Sequence, residues 1–254
     1  MDIDLQGKTA LITGGNLGIG RGVALALARC GAEVAVTYFS HQQEGEETVK
    51  MIEGMGGKAY AFKLDATESA QVNQVVNRVA ETLGGHIDIL INNAGHLVGR
   101  STIEEMSDEH WHKTMDVNLS STFYCTRAVL PYMNNGWGRI VNMSSLAARN
   151  GGGDGAVAYA ASKGAIIAYT RGLAKEVAGK GITVNGLAPG LILETPFHEN
   201  FNTDAGIQGA INATPLKRGG TPADVAGAVV YFVSELGAFI TGEIIEINGG
   251  LYFA

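Results

Sequence analysis

The chain has 254 residues, 46% of them hydrophobic, and a formal net charge of −7. That length can bury one large core, and with no Pro/Ser-rich bridge, charge block or repeat to divide it, a single domain over residues 1–254 is expected. Acidic charge spread along the chain excludes the basic footprint of a nucleic-acid binder and disfavours an acidic macromolecular partner.

The first strand-like run, residues 9–13, follows Met1 almost directly, and no apolar run is long enough to span a bilayer. No leader, no membrane association and a cytoplasmic setting are therefore expected. Further strand candidates lie at residues 33–38, 58–63, 87–92, 139–143, 182–187 and 243–247, with longer helical patterns between them. Strands alternating with helices predict βαβ units, and runs apolar on both faces predict a sheet covered on both sides. The fold class is then α/β, a doubly wound, seven-stranded and mainly parallel sheet of Rossmann type with helices on both faces. Cys30 and Cys125 fall inside the helical patterns without metal-ligand spacing, so reduced thiols and no metal are expected. Between Pro189 and Leu216 the strand rhythm stops. Phe197, Phe201, Ile207 and Ile211, scattered among polar residues there, predict a partly helical lid over 191–215.

Ligands of such sheets bind beyond the carboxyl ends of the strands, so the residues after each run carry the chemistry. Gly14, Gly18 and Gly20 follow the first run and open a helix, where glycine allows a tight turn and lets the main chain approach a pyrophosphate. Tyr159 and Lys163 are four residues apart, about one helical turn, which puts phenol and ammonium on one face. A free tyrosine titrates near ~10, and bringing it close to neutrality takes about three units, or roughly 4 kcal/mol. Lys163 is expected to supply much of that. Alone, each motif has an ordinary reading, a helix-opening turn or a half-buried tyrosine beside a solvated lysine; together they describe a nucleotide site with a proton donor.

Further matching segments are Asp65 after the third run, Asn92-Asn93-Ala94-Gly95 after the fourth, Asn118 in Asp116–Leu119, and Ser145 in Asn142–Ser145. Pro189-Gly190, Ile240–Gly242 and Asn248–Gly250 follow in order. Over essentially its whole length the chain resembles the short-chain dehydrogenase/reductase family of the single-domain kind. The resemblance implies an enzyme interconverting a carbonyl and an alcohol on a small-molecule substrate. Tyr159 would be the proton donor, Ser145 would bond the substrate oxygen, Lys163 would hold the nicotinamide ribose and lower the Tyr159 pKa, and Asn118 would hold a water linked to Lys163. Cofactor contacts are implied for Gly14, Asn16, Leu17, Gly18, Ile19, Gly20, Tyr38, Ser40, His41, Asp65, Ala66, Asn92, Ala94, Gly95, Tyr159, Lys163, Pro189, Gly190, Ile192 and Thr195. Asp65 would accept the adenine amino group and Asn92 would hold the fourth strand beside the cofactor, though Asp65 can equally cap a helix and Asn92 a turn. Ser145 stands one residue farther from Tyr159 than is common, which leaves Ser144 as an alternative. Thr195 is likewise displaced by one from the usual nicotinamide contact.

NAD-specific members carry an acid near the end of the second strand, where this chain has Thr37-Tyr38-Phe39-Ser40-His41, and the basic residues that often grip a 2′-phosphate are missing at Leu17 and Phe39. NADP(H) is favoured because nothing repels the phosphate and Ser40 or His41 can bond it; NAD(H) remains possible. One alternative is a 3-oxoacyl-[acyl-carrier-protein] reductase, weakened because Ala128–Trp137 has no basic residue for an acidic carrier. A non-catalytic dinucleotide sensor is another, opposed by the presence of Asn118, Ser145, Tyr159 and Lys163 together. The substrate loops offer His96, Arg100, Arg149 and His198 beside Ser145 and Tyr159. They look loosely similar to sugar and keto-uronate reductases in Leu97–Arg100, Gly151–Gly153 and Phe197-His198, which points to a polar or anionic carbonyl compound. The family also implies a homotetramer, with the Gly249–Ala254 tail between subunits.

Overall fold

The computed structural model describes residues 3–195 and 203–254. Strands β1 (Thr9–Ile12), β2 (Glu33–Tyr38), β3 (Ala59–Lys63), β4 (Ile89–Asn92), β5 (Gly138–Met143), β6 (Ile182–Pro189) and β7 (Ile244–Ile247) form one sheet in the order β3-β2-β1-β4-β5-β6-β7. Every pairing is parallel, so the sheet goes beyond the mainly parallel one expected. Helices α1 (Gly18–Arg29), α2 (Gln42–Glu53), α3 (Ser69–Thr82), α4 (Asp108–Met115), α5 (Ser121–Val129), α6 (Ala147–Asn150), α7 (Val157–Val177), α8 (Asp204–Ala213) and α9 (Pro222–Val233) make the connections. A π-helical turn, Asp116–Ser120, joins α4 to α5.

Side chains alternate across the strands, and the two faces are both apolar. Ala10, Ile12, Val34, Val36, Ile89 and Ile91 meet α1 and α9 through Val23, Leu27, Val229 and Phe232 on one face. Leu11, Ala35, Leu90, Ile140 and Val184 meet α3, α5 and α7 through Val72, Val76, Val129 and Val177 on the other. The chain order reverses between β1 and β4, so the crevice that such a reversal opens lies above Thr13 and Asn93. The seven runs expected from the sequence are the seven strands; β1, β3, β4 and β7 are one or two residues shorter than expected, and β5 and β6 one or two residues longer.

The lid interval contains α8, and Phe197, His198 and Phe201 lie outside the described residues. Among the described residues no helix is long and apolar enough to cross a membrane, and no group of three His, Cys, Asp or Glu side chains could hold a metal ion.

Candidate active site

The glycine turn is built by two threonines and an asparagine. Thr13 Oγ1 accepts the main-chain N–H groups of Asn93 and Ala94, each at 3.0 Å, and Asn93 Nδ2 donates to the carbonyls of Thr13 and Gly14 at 2.9 and 3.0 Å. Thr37 Oγ1 accepts the Gly14 N–H at 3.2 Å. The turn is so tight that a Cβ on Gly20 would sit 2.1 Å from the Gly14 carbonyl oxygen, and Gly14 itself has φ +62°. Helix α1 then starts from Leu17 with no side-chain cap and no acidic residue in its first turn. Its N–H groups and dipole face the crevice, an arrangement that suits a pyrophosphate. Thr195 closes the turn from the far side: a Cβ on Gly18 would lie 3.1 Å from Thr195 Cγ2, and Thr195 Oγ1 donates to the Ile192 carbonyl at 2.9 Å. These residues fit a dinucleotide. Ile192 pairs with Gly220 in an isolated bridge that fixes the chain just after β6.

At the adenosine end, Tyr38 packs inward. Its ring is buried against α2, where a Cβ on Gly45 would come within 2.9 Å of Tyr38 Cδ1. Strand alternation directs Thr37 to the glycine turn and Tyr38 to the helix, which leaves Phe39, Ser40 and His41 as the exposed rim. Ser40 Oγ and His41 Nδ1 are 3.0 Å apart, and Asn16 Nδ2 donates to the His41 carbonyl at 3.4 Å. Asp65 caps the turn before α3, accepting the Thr67 N–H at 3.0 Å and the Thr67 hydroxyl at 2.6 Å through Oδ1. Ala66 packs on the core beneath it.

Asn92 is buried and holds β4 in place, donating to Thr126 Oγ1 at 3.0 Å and to Asn142 Oδ1 at 2.8 Å. Asn142 in turn donates to Thr170 on α7. Asn118, in the π-helical turn, pins the loop after β4: its Nδ2 donates to the carbonyls of His96 and Thr114, and its Oδ1 accepts the His96 N–H. Gly95 lies between Asn118 and Lys163, since a Cβ there would be 2.8 Å from Asn118 Oδ1 and 2.9 Å from Lys163 Nζ.

Ser145, Tyr159 and Lys163 meet at the mouth of this crevice. The Ser145 side chain is hydrogen-bonded to Tyr159, whereas Ser144 is buried and donates to the Lys163 carbonyl at 2.8 Å. Adjacent residues leaving β5 point opposite ways, so Ser145 and not Ser144 faces Tyr159. Lys163 is buried, its Nζ donates to the Met143 carbonyl at 2.9 Å, and it stands 5.8 Å from the centre of the Tyr159 ring. Burial pushes Tyr159 up to about 12, with the Ser145 bond pulling the other way. Burial also pulls Lys163 down to about 8. Desolvation is thus the larger influence on Tyr159 and the Ser145 bond the opposing one.

Of the substrate-loop residues, Arg100 is exposed and donates through Nη1 to the Asp154 carbonyl at 2.8 Å, while Ser101 N–H bonds the Gly155 carbonyl at 3.0 Å. The loops after β4 and α6 are thus laced together. His96 Nδ1 accepts the Val98 N–H at 2.8 Å, and burial with nearby Lys113 lowers its pKa. Val98 is held at φ +69°, a strained setting for a β-branched residue. Arg149 does not join this group. It is paired with Glu246 on β7 at 2.8 Å, because a guanidinium on a short turn against the sheet meets a carboxylate there before it meets the crevice. Thr13, Thr37, Asn93 and the Met143 carbonyl do join the site. The first three were open to sequence reasoning as polar residues flanking the glycine turn and β4; a main-chain carbonyl leaves no sequence signal.

A model of the family described as enoyl-(acyl carrier protein) reductase matches residues 14–252. A 3-oxoacyl-[acyl-carrier-protein] reductase, FabG, of Thermotoga maritima is 39% identical over 248 residues, covering 97% of this chain and 98% of that protein. A short chain dehydrogenase from Burkholderia cenocepacia, solved in complex with NADP, is 35% identical, with a TM-score of 0.90 over 97% of this chain and 98% of that one. A short-chain dehydrogenase/reductase described as glucose/ribitol dehydrogenase, from Brucella melitensis, is 33% identical, with a TM-score of 0.89 over 100% of both chains. Likeness that runs from end to end, in sequence and in fold alike, makes this chain an NAD(P)-dependent oxidoreductase of the short-chain dehydrogenase/reductase family.

Proposed function

We propose that the protein reduces the carbonyl group of a small polar or anionic compound, such as a sugar or keto-uronate, to an alcohol, with NADPH preferred and NADH usable. The observation that carries this reading is the Ser145–Tyr159 bond beside buried Lys163, at the carboxyl ends of β4 and β5 and facing an uncapped helix. The cofactor, when bound, supplies a hydride to the carbonyl carbon. Ser145 and Tyr159 hold the carbonyl oxygen, and Tyr159 transfers its phenolic proton to that oxygen as negative charge grows there. Lys163 presents its remaining N–H groups to the nicotinamide ribose, and Asn118 fixes the loop that shapes this side of the crevice and holds a water linked to Lys163. Residues 191–215 act as the lid over a single domain, and Thr195 and Ile192 are the lid residues that meet the cofactor.

NADPH preference rests on the Ser40–His41 rim, where neither residue opposes a phosphate and both offer hydrogen bonds. His41→Ala is expected to weaken NADPH binding about tenfold and leave NADH nearly unchanged, as titration of nicotinamide fluorescence would show. Equal weakening of both, or tight NADH with negligible NADPH binding by the wild type, would sink the preference.

Substrate charge falls to Arg100, since Arg149 is occupied by Glu246. Acetoacetate and ethyl acetoacetate differ by one charge at the same ketone. Arg100→Ala should raise KM for acetoacetate about tenfold and change that for the ester by less than about twofold. Equal effects on the two would show that the loop does not select charge. The 39% identical FabG keeps the acyl-carrier reading as the second one; faster turnover of a carrier-bound acyl ketone than of either free compound would favour it. Fluorescent binding of NADPH with no turnover of any carbonyl compound would favour a sensor.

The assembly we propose is a homotetramer. Phe123, Ile103, Phe239 and Phe253 are exposed large apolar side chains of the kind that subunit contacts cover. A monomeric mass by light scattering would contradict it. A cytoplasmic setting accords with Cys30 and Cys125 being free thiols.

A further inference from the structure

We infer that Glu246, through its ion pair with Arg149, is a positioning residue that holds Ser145 against Tyr159, an inference resting on the catalytic roles proposed above for those two residues. Ser145 lies in the turn between β5 and α6. On either side of it the main chain is tied to β6: Ser144 N–H donates to the Leu187 carbonyl at 2.8 Å and Leu146 N–H to the Pro189 carbonyl at 2.9 Å. The Ser145 hydroxyl oxygen accepts the Ala147 N–H at 3.1 Å, and its carbonyl accepts the Ala148 N–H at 3.0 Å. The direction of the serine side chain is therefore set by α6. That helix is four residues long and runs out into the exposed stretch 150–154, so it cannot hold itself in place.

Ala148 packs α6 on Ile167, Ala188 and Ile244, and Arg149 adds the polar tie that fixes the helix to β7. Arg149 Nε donates to Glu246 Oε1 at 2.8 Å, and the two side chains are 15% and 13% exposed. An arginine at the end of an exposed turn would ordinarily lie in solvent, and withdrawing both charges from water is costly unless the pair is well held. Here the carboxylate is held from behind. Glu246 Oε2 accepts Asn248 Nδ2 at 3.3 Å, and Asn248 also donates to the Tyr252 carbonyl while its Oδ1 accepts the N–H groups of Gly250 and Tyr252. Glu246 sits in register with Ala188 of β6, the residue before the Pro189 carbonyl that anchors Leu146. Both restraints on the Ser145 turn thus arise at one level of the sheet, from neighbouring strands. Loss of the carboxylate would leave a buried guanidinium without its partner, and the turn would move outward to hydrate it, carrying Ser145 away from Tyr159.

Glu246→Gln keeps the volume and removes the charge. With NADPH and ethyl acetoacetate its kcat should fall about tenfold, with KM for NADPH changed by less than about twofold, because a small displacement at the reacting oxygen costs rate and not cofactor binding. In the reverse oxidation of ethyl 3-hydroxybutanoate with NADP⁺, the alkaline limb should move to higher pH, since the Ser145 bond is what draws Tyr159 downward. The exchanged pair, Arg149→Glu with Glu246→Arg, should recover part of the lost kcat. A merely structural role would lower stability and leave the pH limb where it was. Folded Glu246→Gln with a wild-type kcat and an unmoved limb would overturn the inference. If that variant does not fold, Arg149→Lys, which keeps the charge and loses the Nε bond, is read by the same two measurements with the same consequences. Tyr159→Phe measured in parallel separates the failures: if it stays active the catalytic reading is wrong, whereas an inactive Tyr159→Phe beside an unaffected Glu246→Gln removes the brace alone.

Discussion

Replacing Lys163 by methionine should give a protein that is more stable than the wild type at neutral pH and has lost both turnover and tight cofactor binding. Lys163 is buried with the Met143 carbonyl as its described acceptor, and burial lowers its pKa from 10.5 to about 8. At pH 7 the ammonium is charged in the folded and unfolded chains alike, so the folded state bears the full cost of burying it, an interval worth roughly 3 kcal/mol. Between about 8 and 10.5 the folded protein gives up the proton first, and the cost fades. Wild-type stability from this group therefore rises with pH across that window, and the advantage of the methionine variant shrinks. After allowance for the lost bond to Met143, a gain of about 1–2 kcal/mol at pH 7 is expected. Denaturant unfolding at pH 7 and pH 9.5 reads it. A variant less stable than the wild type at pH 7 would mean that the ammonium is not a burden the fold carries for function.

Tyr159→Phe should lower kcat by about 10²–10⁴, the usual contribution of a general acid, while NADPH binding stays nearly intact. In barrier terms that is about 3–5 kcal/mol, supplied by one hydroxyl. The ring keeps its packing, and Ser145 loses one partner. Kinetics with acetoacetate and a fluorescence titration with NADPH separate the two effects. Retention of more than about a tenth of the wild-type rate would remove Tyr159 from the proton transfer.

How these residues come together was legible in the sequence to different depths. The strands could be read because a sheet covered on both faces needs apolar residues at both phases of the alternation, as in Ala10-Leu11-Ile12 and Val34-Ala35-Val36. The glycine turn and the Tyr159–Lys163 spacing are local, so they too stand in the sequence. Burial does not. Four-residue spacing puts Lys163 on the Tyr159 face but cannot show that burial raises one pKa and lowers the other. Side-chain direction at a strand end is equally hidden, which is why the packing of Tyr38 on Gly45 could not be read, and why Ser144 and Ser145 look interchangeable. Arg149 reads as a substrate group because its partner, Glu246, is 97 residues away on another strand.

The most direct test is the pH dependence of kcat/KM for NADPH with acetoacetate as the carbonyl compound, because this quantity reports the groups of the ligand-free enzyme. With Tyr159 protonated to about 12 and Lys163 titrating at about 8, the profile should be level across neutral pH and fall above about 8, as Lys163 loses the proton with which it holds the ribose. A profile that rises through that range, or stays level until the phenol itself ionises, would contradict a site in which a protonated Tyr159 works beside a charged Lys163.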